Sequence, residues 1–82
     1  MLDIHYDHDF LKQVSKIKDA AVKERVKKQI AKIVNDPEVG KPMRYARKDT
    51  RELYVAPFRL SYAYLKMDNK LIFLELYHKD EQ

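Results

Sequence analysis

The chain has 82 residues and a mass of 9.9 kDa, which allows one compact domain over residues 1–82, because chains divide into separate cores only when they are several times longer. Hydrophobic residues make up 45% and there is a single Gly, so the composition is that of a globular domain rather than a disordered or fibrous chain. The absence of Cys excludes a disulfide framework, thiol catalysis and any thiolate metal site. No stretch approaches the ~18–20 apolar residues of a membrane span, and Asp3, Asp7 and Asp9 stand where a leader peptide carries a basic start. A soluble, cytoplasmic protein without a membrane partner is expected.

The net charge of +4 is unevenly spread. Residues 11–35 carry eight cations against two acids, and seven of those cations are Lys. Residues 41–62 carry six cations against two acids and hold four of the five arginines: Arg44, Arg47, Arg51 and Arg59. Lys on a helix reads as a solvated face, whereas clustered Arg, with its planar fork, suits bidentate recognition of phosphate or carboxylate.

In chain order, Leu2, Ile4 and Tyr6 alternate with polar residues, the period of a half-buried strand. Asp7 is placed to cap a helix carrying Phe10, Leu11, Val14 and Ile17 at helical spacing. Asp19 is placed to cap a second helix with Val22, Val26, Ile30, Ile33 and Val34 on one stripe, ending before Asp36-Pro37 because a residue preceding Pro avoids the helical region. After Pro37 the period becomes two. Strands are predicted at Met43–Arg47, Glu52–Ala56, Phe58–Lys66 and Lys70–His78, with Asp68-Asn69 as the last turn. The expected fold class is α+β: an N-terminal strand and a helical hairpin packed on a small antiparallel sheet.

A two-residue Asp68-Asn69 loop sets the register of the last hairpin, pairing Leu65 with Ile72, Ala63 with Leu74, Ser61 with Leu76 and Arg59 with His78. A loop one residue longer sets Arg59 opposite Lys79. Both alternatives bring Arg59 to the His78-Lys79 pair.

These residues in this order are familiar. The strand and helical hairpin, Asp36-Pro37, a basic strand, the segment from Arg51 through Tyr62 with its aromatic-Arg-aliphatic-x-Tyr run (Phe58, Arg59, Leu60, Tyr62), and the terminal segment from Leu74 to Asp80 resemble the RelE/ParE toxin superfamily along essentially the whole chain. The resemblance implies a RelE-like fold and a toxin of a type II toxin–antitoxin system, neutralised by an acidic, RelB-like antitoxin. For the RelE branch it implies a metal-free endoribonuclease that cleaves mRNA on the ribosome without any cofactor. For the ParE branch it implies a gyrase inhibitor, and a catalytically degenerate antitoxin-binding module is a further alternative.

The family's strand arginine maps onto Arg59, and its terminal basic residue maps onto His78 or Lys79, which makes these three the expected catalytic residues. Arg44, Arg47, Lys48 and Arg51 are expected at the RNA and ribosome interface, with Tyr54 or Tyr77 stacking on a base. The family's common His-Arg ending is His78-Lys79 here, Tyr54 stands where an Arg is often found, and no Tyr follows the terminal basic pair.

The chemistry asks for a proton acceptor at the 2′-hydroxyl, a donor at the leaving oxygen and positive charge on the phosphorane. Arg59 suits the charge, and the imidazole of His78 suits a proton acceptor or donor. An internal ion pair of Arg59 with Glu75 or Glu52 is the competing use of that side chain. His5 and His8 straddle a predicted strand-to-helix boundary, and the acids around them read as helix caps, so no metal site is expected. The single Gly excludes a glycine-rich phosphate loop.

Overall fold

The structure, a computed structural model, describes residues 1–43 and 48–78. Strand β1 (Asp3–Tyr6) leads into helix α1 (His8–Ser15) and helix α2 (Ala20–Asn35). Strands β2 (Lys41–Pro42), β3 (Thr50–Val55), β4 (Phe58–Leu65) and β5 (Lys70–His78) follow, with a 3₁₀ turn at Lys66–Asp68. Both helices begin where the aspartates predict. The Asp7 carboxylate accepts from the Asp9 N–H at 2.9 Å, and Asp19 accepts from Ala21 at 2.8 Å and Val22 at 3.4 Å, satisfying amides that have no partner inside the helix. Helix α2 stops at Asn35, one residue ahead of Asp36-Pro37.

The sheet order is β1-β5-β4-β3-β2. Strands β2 to β5 form the expected antiparallel meander, and β1 joins its far edge parallel to β5, which makes the sheet mixed. Alternation of side chains identifies a strand but not its neighbour, so this pairing had to come from the fold. Pairing of β2 starts at Lys41, ahead of the predicted Met43–Arg47 strand; residues 44–47 of that prediction lie outside the described residues.

The helices cover one face, α1 over β5 and α2 over β3. Phe10, Ile17, Val26 and Ile33 meet Val55, Leu60, Tyr62, Leu71, Phe73 and Leu76 in a single core. Phe73 is its hub, with ring centroids 5.2 Å from Tyr6, 5.4 Å from Phe10 and 6.3 Å from Tyr62. Burying a side chain of this size contributes roughly 1.5–3 kcal/mol each.

The β4–β5 register differs from both sequence alternatives. The connection is four residues long, Lys66–Asn69, with Asn69 in the left-handed region at φ 50°, a conformation that Asn tolerates better than most residues. Near the turn Leu65 faces Lys70 and Tyr62 faces Phe73. Beyond a bulge that skips Leu74, Ser61 faces Glu75, Arg59 faces Tyr77 and Phe58 faces His78. A bulge changes which residues share a face. Arg59 therefore stands opposite Tyr77, not His78 or Lys79.

Candidate functional site

The sheet face away from the helices carries the polar residues. Period-two alternation puts Thr50, Glu52 and Tyr54 of β3 on that face, and the register lines Tyr54, Arg59 and Tyr77 across three strands, with Glu52, Ser61 and Glu75 in the next row. Lys41 of β2 stands directly opposite Glu52. Ser61 is only 4% exposed, so the small residue forms the floor between the longer side chains.

Arg59 is engaged by a carboxylate. Its Nη1 donates to Glu52 Oε1 at 2.8 Å, and the Tyr77 hydroxyl donates to Glu52 Oε2 at 2.9 Å, so the two oxygens of one side chain hold a guanidinium and a phenol. Of the two carboxylates weighed as internal partners for Arg59, the structure selects Glu52. The Arg59 and Glu52 side chains are 30% and 19% exposed, so the pair sits at the rim of the surface. Arg59 Nε is buried and has no hydrogen-bond acceptor among the described residues. A shallow cleft of about 270 Å³ opens beside the pair, bounded by Val39, Lys41, Glu52, Leu53, Tyr54 and Arg59. Tyr54, 55% exposed, offers its ring at the edge of this cleft. Lys41 and Arg59 thus face Glu52 and Glu75 across the centre of the sheet, a mixed site rather than a purely basic patch.

The other expected residues are distributed differently. His78 pairs with Phe58 on the helix-facing side, the two rings edge to face at 5.8 Å. It lines a second cleft of about 240 Å³ with Asp9, Gln13, Phe58, Glu75, Leu76 and Tyr77. Arg59 and His78 occupy opposite faces of the sheet, because the bulge and the longer turn reset the register. Arg51 faces the helix side and donates from Nη1 to the carbonyls of Glu38 at 3.0 Å and Gly40 at 2.8 Å, tying down the segment after α2. Lys48 is exposed in the turn before β3. Arg44, Arg47 and Lys79 lie outside the described residues.

The same segment is anchored from below by Tyr62. Its hydroxyl donates to the Pro37 carbonyl and accepts from the Gly40 N–H, each at 2.8 Å. Burial pushes the Tyr62 phenol above its ordinary range, partly opposed by the Gly40 N–H and by Arg51. A Cβ on Gly40 would lie 2.5 Å from the Tyr62 hydroxyl oxygen, which is why the one glycine of the chain stands there. Tyr62 and Arg51 together fix the approach to β2, and with it the position of Lys41 beside Glu52.

At the first strand, His5 Nε2 is 2.9 Å from Asp3 Oδ2, and that hydrogen bond holds the Asp3 carboxyl below the usual carboxylate range. Among the described residues no group of three His, Cys, Asp or Glu side chains is arranged to hold a metal ion, and no helix is long and apolar enough to cross a membrane.

Sequence reasoning weighed Glu52 only as an internal partner of Arg59 and did not single out Lys41. A readable signal existed for Glu52: with Ala56-Pro57 as a two-residue turn, Tyr54 falls opposite Arg59, and Glu52 is then the next residue on the same face.

Comparison with known proteins agrees with this architecture. The isolated E. coli RelE toxin superposes with a TM-score of 0.81 at 15% identity, covering 100% of this chain and 88% of that one. The YoeB/ParE toxin from Agrobacterium tumefaciens gives 0.79 at 13% identity, covering 94% and 98%. A chain of the archaeal RelE–RelB complex from Pyrococcus horikoshii OT3 gives 0.76 at 13% identity, covering 99% and 98%. No curated protein matches the sequence. The sequence model of the family described as the ParE toxin of the type II toxin–antitoxin system parDE matches residues 4–82. The chain therefore belongs to this toxin family, within the RelE/ParE superfamily.

Proposed function

We propose that the chain arrests growth as a metal-free, ribosome-dependent mRNA endoribonuclease, and that an acidic, RelB-like antitoxin holds it inactive in the cytoplasm. The observation that carries this reading is the row Tyr54, Arg59 and Tyr77 on the open sheet face, with Lys41 beside it. A guanidinium between two aromatic rings offers a fork for one phosphate and flat surfaces for the neighbouring bases. Stacking of that kind contributes ~1–3 kcal/mol per base in single-stranded RNA. Lys48 extends the positive charge at the turn before β3, Arg44, Arg47 and Arg51 are further candidate RNA and ribosome contacts, and His78 and Lys79 are the catalytic candidates that the family resemblance implies. The sequence pI of about 9.3 suits a polyanionic target. Kinship to toxins of toxin–antitoxin systems supports both the growth arrest and the antitoxin partner.

A second reading, a gyrase-directed or non-cleaving toxin, is favoured by one observation: His78 and Arg59 lie on opposite faces, so the imidazole and the guanidinium do not converge. The folded protein added in parallel to a translating extract and to gyrase acting on relaxed plasmid separates the two. Loss of protein synthesis with supercoiling intact supports the ribonuclease reading; inhibited supercoiling with translation intact replaces it by the second.

A further inference from the structure

We propose that Glu52 and Tyr77 are the proton-handling pair of this site, Glu52 as general base and Tyr77 as general acid. The inference rests on the ribonuclease reading above and names the groups that perform it. One carboxylate touches both the phosphate clamp and a phenol: Arg59 Nη1 at Oε1, 2.8 Å, and the Tyr77 hydroxyl at Oε2, 2.9 Å. The base, the acid and the cationic group therefore fall within the span of a single side chain, on the face that is open to a ligand. His78, the titratable residue at the end of the same strand, is on the other face.

The step balances without a metal or an external reagent. A phosphate group arriving at the guanidinium takes over the Nη1 donor and frees Glu52 Oε1. The carboxylate then removes the proton of the ribose 2′-hydroxyl, and the 2′-oxygen forms a bond to the adjacent phosphorus. The bond from phosphorus to the 5′-oxygen breaks, and Tyr77 gives its phenolic proton to that oxygen. The products are a 2′,3′-cyclic phosphate and a 5′-hydroxyl end, with Glu52 protonated and Tyr77 ionised. Rotation of the protonated Glu52 carboxyl brings its O–H to the Tyr77 phenolate, which lies at hydrogen-bond distance from this carboxyl, and transfer of that proton resets the site. Lys41, opposite Glu52, adds positive charge next to the phosphorane.

The test uses the full chain on ribosomes programmed with a short mRNA, measured under single-turnover conditions. One substrate carries the natural 5′-oxygen at the cleaved bond and the other a bridging 5′-sulfur, a leaving group that needs no proton. Thermal melts establish that each variant is folded. Glu52→Gln is expected to slow cleavage of both substrates by about 10² to 10⁴-fold, the range for loss of a general base, while Glu52→Asp, which keeps the carboxylate, retains more activity than Gln. Tyr77→Phe is expected to slow the oxygen substrate by a similar factor and to recover on the sulfur substrate. Glu52→Gln cleaving as fast as the parent, or faster, overturns the base assignment and makes Glu52 a mask over Arg59. Tyr77→Phe equally slow on both substrates, or as fast as the parent on the oxygen substrate, overturns the acid assignment. A folded parent that cuts neither substrate overturns the ribonuclease reading and the pair with it.

Discussion

Arg59 and Glu52, seven residues apart in the chain, meet across β3 and β4 with Nη1 2.8 Å from Oε1. Because the two side chains keep 30% and 19% of their surface in solvent, the pair contributes only about 1 kcal/mol or less to stability. In the ribonuclease reading proposed above, the pair holds the guanidinium where a phosphate can replace the carboxylate. Arg59→Ala is accordingly expected to abolish growth inhibition while leaving the chain folded and bound to its antitoxin. Growth curves after induction, with co-purification of the antitoxin, check this. An Arg59→Ala chain as toxic as the parent removes the clamp from the account.

Tyr62→Phe is expected to destabilise the fold by about 1–3 kcal/mol. The substitution keeps the ring but strips the Gly40 N–H of its acceptor in a buried setting. For a domain of this size each kcal/mol lowers the melting temperature by about 4–8 °C. The phenol also sets a pH dependence. Its ionisation is disfavoured in the folded state, so its contribution is complete below the ordinary tyrosine value of ~10 and is lost as pH rises through the raised folded value. The parent should therefore lose melting temperature above pH ~10 more steeply than Tyr62→Phe, in which the other tyrosines act equally. Parallel slopes would contradict this role for the hydroxyl.

Gly40→Ala is expected to cost about 1–3 kcal/mol by overpacking. The new Cβ meets not only the Tyr62 hydroxyl oxygen at 2.5 Å but also its ring carbons at 2.7 and 2.9 Å, and that ring is fully buried and cannot swing aside. The double variant with Tyr62→Phe should for that reason remain destabilised. Full rescue by Phe, read from melting curves, would mean that only the hydroxyl clashes.

Asp19→Ala is expected to destabilise by about 1 kcal/mol, since the side chain caps two amides at the start of α2. Asp19→Asn, which keeps an acceptor, should lose much less. Denaturant midpoints for the two variants check the difference.

Local chemistry made much of this fold readable. Asp7 and Asp19 announce the helix starts, Asp36-Pro37 announces the end of the second, and the alternation from Lys70 to His78 gives β5 with both ends as observed. What escaped is relational. The parallel placement of β1 against β5 depends on which edge the helices leave open, and no periodicity encodes it. The hairpin register turned on Lys66, read as strand but recruited into the 3₁₀ turn, and on Leu74, which the bulge skips. Those two local departures exchange His78 for Tyr77 as the neighbour of Arg59. The placement of the candidate site was legible where Tyr54 and Arg59 are set opposite one another by the short turn at Ala56-Pro57, and illegible where it depended on the longer turn.

The most direct test of the account is a 5′-end map of mRNA after the purified, folded protein is added to ribosomes programmed with that message, with free message alongside. New 5′ ends confined to the A site of ribosome-bound mRNA, absent with Arg59→Ala, are the predicted result. An unchanged map in both samples would contradict it, and would leave a toxin whose target is a protein.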